Sequence, residues 1–116
     1  MHISDPSQLI RSLVFAQSGA VSLLNDAPTV VVVSSKPWVA LNDSDADADN
    51  VYVYECTLED AAKATGEAWV IGAALYWDNT NKRFTTTASG NTAAGFAGSI
   101  QASGDTTGTV LFRAFP

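Results

Sequence analysis

The chain has 116 residues, of which 47% are hydrophobic and 16% charged, and it carries a formal charge of −6. That is enough chain for one domain with a core of its own, and too apolar a composition for a disordered segment. Six Lys and Arg in all cannot supply the clustered cations that neutralise phosphate, so neither nucleic acid nor an anionic membrane surface is expected as a partner.

No stretch reaches the roughly 18 apolar residues of a membrane-spanning helix. The opening MHISDPSQLIRSLVF lacks the basic region and long apolar run of a signal peptide. Cys56 is the only cysteine, which excludes an internal disulfide and suits folding in a reducing cytoplasm.

Residues 1–24 admit two readings. Asp5-Pro6 has the form of a helix start, and Leu9, Ile10, Leu13 and Val14 recur at helical spacing before Gly19. The alternative is an extended arm, with short strands at 13–15 and 20–24. A turn at Asn25-Asp26-Ala27-Pro28 then leads into Val30 to Val33, four valines in a row, as in a strand covered on both faces or pressed against another subunit. Lys36-Pro37 interrupts, and Trp38-Val39-Ala40-Leu41 resumes as a strand.

Residues 42–50 read NDSDADADN, and 51–57 (VYVYECT) make the strongest strand signal. Strict alternation sets Val51, Val53 and Glu55 on one face, and Tyr52, Tyr54 and Cys56 on the other. Residues 58–64 read as a brief helical turn or a loop. In 65–87, Gly66 and Gly72 bracket Ala68-Trp69-Val70-Ile71 and mark sites of positive φ or close backbone approach. Ala74-Leu75-Tyr76-Trp77, the turn formers Asp78-Asn79-Thr80-Asn81, and Phe84-Thr85-Thr86-Thr87 spell a hairpin. A turn at 88–91, a strand at 92–101 around Phe96 and Ile100, a loop at 102–108 and a final strand at 109–115 complete the chain. The last of these points Val110, Phe112 and Ala114 to one face. The predicted class is all-β: a small single-domain β-barrel or β-sandwich with short helical turns and, on one reading, an N-terminal helix. Residues 1–24 form the arm or helix and 25–116 the β domain.

Few side chains invite chemistry. Asp43, Asp45, Asp47 and Asp49 alternate as calcium ligands would. A calcium loop begun at Asp43, however, wants glycine and glutamate where Ala48 and Tyr54 stand. A solvated acidic loop is the plainer account. The tryptophans at 38, 69 and 77, with Tyr52, Tyr54 and Tyr76, suit either a sugar-binding surface or core and interface packing. His2 is the only histidine, which leaves no nucleophile–histidine pair and no histidine-based metal cluster. Cys56 reads as an inert packed thiol, and Glu59-Asp60 as surface charge. Neither catalysis nor a cofactor is expected.

The second half carries a resemblance. Gly66, Ala68, Trp69, Gly72, Leu75, Tyr76, Trp77 and Asp78 form a G-x-A-W-x-x-G-x-x-L-Y-W-D segment. A T-T-T-A-x-G-N-T stretch follows at 85–92, then Gly95-Phe96-Ala97, then Ala102-Ser103-Gly104-Asp105-Thr106. This pattern, over residues 51–113, resembles the bacteriophage capsid decoration (cement) proteins. That family was long catalogued as a domain of unknown function and is often mislabelled RecA/RadA recombinase. Its usual opening, Gly-Asp before a valine strand, is not matched, and the first 25 residues are idiosyncratic. The recombinase label fails on chemistry: such an ATPase needs Gly-Lys-Ser/Thr to close its phosphate loop, and no lysine here follows a glycine.

The resemblance implies a non-catalytic structural protein on the outer surface of a phage or prophage capsid, made in the host bacterial cytoplasm. It would stabilise the shell by bridging neighbouring subunits. The implied partners are the major capsid protein and further copies of the chain, a trimer before a dimer. Leu9, Ile10, Leu13, Val14, Phe15, Val31 and Val33 are the candidate subunit or capsid contacts. The alternative is a carbohydrate-binding β-module on a virion or cell surface.

Overall fold

The computed structural model describes residues 1–3, 10–23 and 27–115. Among these residues, nine strands make one antiparallel sheet: β1 (His2–Ile3), β2 (Arg11–Ala16), β3 (Thr29–Val33), β4 (Lys36–Ala40), β5 (Asp49–Ala62), β6 (Ala74–Asp78), β7 (Arg83–Thr85), β8 (Thr92–Ala97) and β9 (Thr107–Arg113). The order is β3-β4-β5-β9-β8-β6-β7, with β1 and β2 on the other edge of β5. The sheet curls into an open half-barrel. A single parallel bridge, Lys63 to Phe84, ties β7 back toward the end of β5. The described residues contain no helix, so the all-β reading holds; the helical alternative for the N-terminal segment fails over residues 11–16, and its start at Asp5-Pro6 lies outside the described residues. There, residues 11–16 pair with β5 as a strand. Helical spacing lost to the edge of β5, which offers partners for backbone groups that a short isolated helix cannot satisfy as well.

β5 is the spine. It runs 14 residues, through the stretch read as a helical turn or loop. Leu58, Ala61 and Ala62 instead pair with Val110, Gly108 and Thr107 of β9. Alanine and glutamate there favour a helix locally, and pairing across the sheet overrides that preference. Two irregularities bend the strand. Arg11 pairs with Glu55 but Ser12 with Val53, which leaves Tyr54 as an extra residue. The second lies between Leu58 and Ala61, where Asp60 takes φ 54°. Each bulge shifts the alternation by one residue and deepens the twist.

One strand thereby feeds two cores. Val53, Cys56 and Leu58 join Trp69, Leu75, Trp77, Phe84, Val110 and Phe112 inside the curl, whereas Tyr52 joins Val21, Trp38 and Ala40 on the other face. Strict alternation put Cys56 with Tyr52, and the bulge at Tyr54 is why it sits with Val53 instead. Burial, and secondarily the Glu55 charge, push the Cys56 thiol up from its usual 9.0 to about 12. It is therefore a protonated, unreactive thiol at neutral pH.

The hairpin of β6 and β7 forms at the predicted place, Trp77 facing Phe84 across the pair. The Asp78 carboxylate closes its turn, accepting N–H bonds from Thr80 and Asn81, both at 3.1 Å, and 2.8 Å from the Asn81 side-chain nitrogen. Those bonds, led by the Asn81 side chain and helped by the Arg83 charge, hold its carboxyl below the usual 3.8. Gly66 and Gly72 take φ +86° and +88°, as the bracketing glycines predicted. The last strand points Val110, Phe112 and Ala114 inward, all fully buried, also as read. β8 ends at Ala97, short of residue 101.

Candidate binding surface

β2 lies on the edge of β5 with both its faces largely open. Leu13 is 49% and Val14 65% exposed. Alternation along the strand sends them opposite ways. Leu13 and Phe15 face a groove of about 640 Å³ that they line together with Val32, Val33 and Trp38. At its floor Phe15 stacks on Tyr52, ring centroids 4.4 Å apart, and meets Trp38 edge-on at 5.1 Å. Aromatic pairs of this kind add about 0.5–1.5 kcal/mol beyond their burial. Trp38 continues the cluster to Tyr54 and Phe115. Phe115 is half exposed, with the Lys36 ammonium 5.8 Å from its ring centre.

β2 is held from the outside by charge. The Glu55 carboxylate receives Arg11 of β2 at 3.1 Å and Arg113 of β9 at 3.0 Å, one on each oxygen. Such exposed pairs contribute at most about 1 kcal/mol each, so these orient the strand more than they stabilise it.

Of the candidate contact residues, Leu13, Phe15 and Val33 come together in this groove. Val14 and Ile10 are exposed away from it, and Val31 packs on the second core. Leu9 lies outside the described residues. The acidic loop does not converge: among the described residues no group of three or more His, Cys, Asp or Glu side chains is placed to hold a metal ion. It docks on the segment after β2 instead. Val21 and Ser44 exchange backbone bonds, Asp47 N–H donates to Gln17 O at 2.8 Å, and the Asp43 carboxylate accepts from Leu23 N–H at 2.7 Å. All three tryptophans are buried, Trp38 with only 6% of its surface exposed where it lines the groove.

A second exposed apolar surface lies where β6 and β8 begin and end, and the sequence reading missed it. Trp69 bridges Gln101 and Ala74 pairs with Phe96, with the turn at 70–73, closed by Ala73 N–H donating to Val70 O, between them. Trp69 turns inward, whereas Val70 is 63%, Ile71 66% and Ile100 74% exposed. Period-two alternation about the buried Trp69 was the available signal for Val70, and the turn at 70–73 takes Ile71 out of that alternation. The two glycines drew attention to the backbone instead.

The described residues form an all-β protein without helix, with two apolar cores fed by one bulged strand and exposed apolar side chains at its edges. Residues 16–113 match the phage cement protein family, and the chain belongs to that family. The match extends well upstream of the 51–113 span in which the resemblance is legible by eye. No curated protein and no solved structure matches the chain. Membership gives the protein a structural role in association with a phage capsid and a place in the virion.

Proposed function

We propose that this chain binds the outer surface of an assembled phage or prophage capsid and bridges neighbouring subunits of the major capsid protein, as a homo-oligomer, a trimer before a dimer. The supporting observation is the match to the cement family across 16–113 in a chain whose β2 leaves Leu13 and Val14 exposed on an edge strand. An unpaired edge bordered by apolar side chains is a template for strand addition by another chain. The mechanism is mechanical and needs no catalysis. A ligand held only by the assembled lattice stabilises it by mass action, and repetition over many sites makes modest contacts sufficient.

The proposed contacts are Ile10, Leu13, Val14, Phe15, Val31 and Val33, with Leu9 beside them in sequence. Leu13 and Val14 make the cleaner test, because Phe15 and Val31 also pack on the second core. The double substitution Leu13→Lys and Val14→Lys is expected to leave the melting temperature within about 3 °C, since exposed sites cost roughly 0.5 kcal/mol or less. Binding to capsids or oligomer mass should fall clearly. Co-sedimentation with capsids and light scattering read the two effects, and unchanged values in both would remove β2 from the contact. Burial of the three tryptophans and of Tyr52 counts against the carbohydrate-binding reading, of whose six aromatic side chains Tyr54 and Tyr76 alone are half-buried.

A further inference from the structure

We infer that the open edge of β2 is where this chain associates with itself, pairing antiparallel with β2 of a second copy about a two-fold axis at Val14. The inference rests on the homo-oligomer in the reading above, and takes the dimer rather than the trimer as its form.

The hydrogen-bond pattern shows which backbone groups are free. The turn at Ser34 and Ser35 makes Val33 and Lys36 the closing bonded pair of its hairpin, so Trp38 and Ala40 also bond to β3. Val39 then turns to β5, where it meets Val53. Val53 and Val51 therefore point toward β4, and the Val51 N–H is taken by the Asn50 side chain at 2.8 Å. Tyr52 and Asn50 point the other way, to Leu13 and Phe15 of β2. Gln17 keeps the same sense, its carbonyl accepting from Asp47 N–H at 2.8 Å. Ser12, Val14 and Ala16 are left with N–H and C=O groups directed away from β5, and all three are exposed.

Elsewhere among the described residues the margins of the sheet are covered or short. β3 is buried at Thr29 and Val30, Phe84 of β7 bridges to Lys63, and β1 has 2 residues. A single open edge pairs between copies only with itself, which closes as a two-fold dimer. A ring of three joined through strands needs two different edges.

The β2 edge is self-complementary. An axis at Val14 sets that residue opposite the partner's Val14 and Ser12 opposite the partner's Ala16. Every free N–H from 12 to 16 then finds a carbonyl. Moving the axis to Leu13 or Phe15 leaves one of the three residues on each copy without a match. Leu13 falls beside the partner's Phe15 on the groove face, an aliphatic–aromatic cross-strand pair. Residues 12–16 carry no charge, so no ionised group meets its own kind at the axis. Charge at the ends of β2 favours the antiparallel sense. Arg11 and Arg113 share Glu55 at one end, which leaves it net positive. Asp43, Asp45, Asp47 and Asp49 crowd the other, where Ala16 pairs with Asp49. Antiparallel pairing brings each positive end to the partner's negative one.

A residue on a two-fold axis meets its own copy, so charge reversal at Val14 is the test, read by analytical ultracentrifugation. The unmodified chain should sediment as a dimer. Val14→Lys and Val14→Glu should each weaken self-association about tenfold or more, because like charges oppose at the axis. An equal mixture of the two should recover the dimer. Each variant should stay folded, Val14 being 65% exposed, and thermal unfolding checks that. An unmodified chain of one or three copies, single variants that keep the dimer, or a mixture that stays apart would overturn the inference. Co-sedimentation of the unmodified chain with capsids reads the broader proposal separately. A monomer that binds capsids overturns the β2 pairing alone, and a dimer that ignores them overturns the capsid reading alone.

Discussion

Gly95→Ala is expected to be among the most damaging single substitutions in the chain, costing about 3 kcal/mol or more. Gly95 takes φ +126°, and a Cβ added there would lie 2.1 Å from the carbonyl oxygen of Leu111 and 3.0 Å from the amide nitrogen of Arg113. Neither neighbour is a flexible side chain that can swing away. Both belong to β9, which pairs with β8 at Gly95 opposite Phe112. The clash therefore forces the two central strands apart where the core is fully buried. Gly95 also borders a bulge, since Leu75 pairs with Gly95 but Tyr76 with Ala93. The extra residue, Ala94, is itself fully buried. A melting temperature about 12 °C or more below that of the unmodified protein, or loss of soluble folded protein, is the predicted result. A change of only a few degrees would mean that the strands do not approach as described.

Trp69→Ala should cost about 3–5 kcal/mol, the range for removing a large buried aromatic side chain. The indole is fully buried, and it fills the space over Gly108 so closely that a Cβ at that glycine would meet the ring at 2.6 Å. The ring also lies 5.7 Å from the buried ammonium of Lys63, which donates to the carbonyls of Ala64 at 2.9 Å and Asp105 at 3.2 Å. Removing the indole leaves a cavity and takes a neighbour from a buried charge. Chemical denaturation should show the midpoint falling sharply with little change in slope. Trp69→Phe should recover a large part of the loss. If Trp69→Ala unfolds at the denaturant concentration of the unmodified chain, the inner core is not organised around this side chain.

The parts of the fold legible in the sequence are those where local preference and long-range pairing agree. Residues 51–57 are β-branched and aromatic, the Asp78 turn carries its own hydrogen-bonding side chains, and Val110, Phe112 and Ala114 alternate cleanly. Each became the element expected. The errors lie where pairing across the sheet outvotes the local signal. Leu58 to Ala62 are locally helix-prone, yet β9 supplies partners for their backbone. Leu13 and Val14 sit at helical spacing but add to the edge of β5. Bulges are harder still, because the extra Tyr54 in a strict alternation leaves no mark in composition and yet moves Cys56 from one core to the other. The candidate surface was half legible. Apolar residues in the first 33 positions pointed to the β2 groove. The face around Val70 and Ile100 stayed hidden, since exposed and buried aliphatic residues read alike until Trp69 is known to point inward.

The claim on which the whole account depends is that this chain strengthens a capsid it recognises only once assembled. Capsids of the encoding phage lacking the chain should be heated with and without it, and particle rupture followed by light scattering, beside a binding assay on unassembled capsid protein. The account predicts that added chain raises the rupture temperature in a saturable way and ignores the unassembled subunits. Rupture at the same temperature with the chain bound, or equal binding to free subunits, would contradict it.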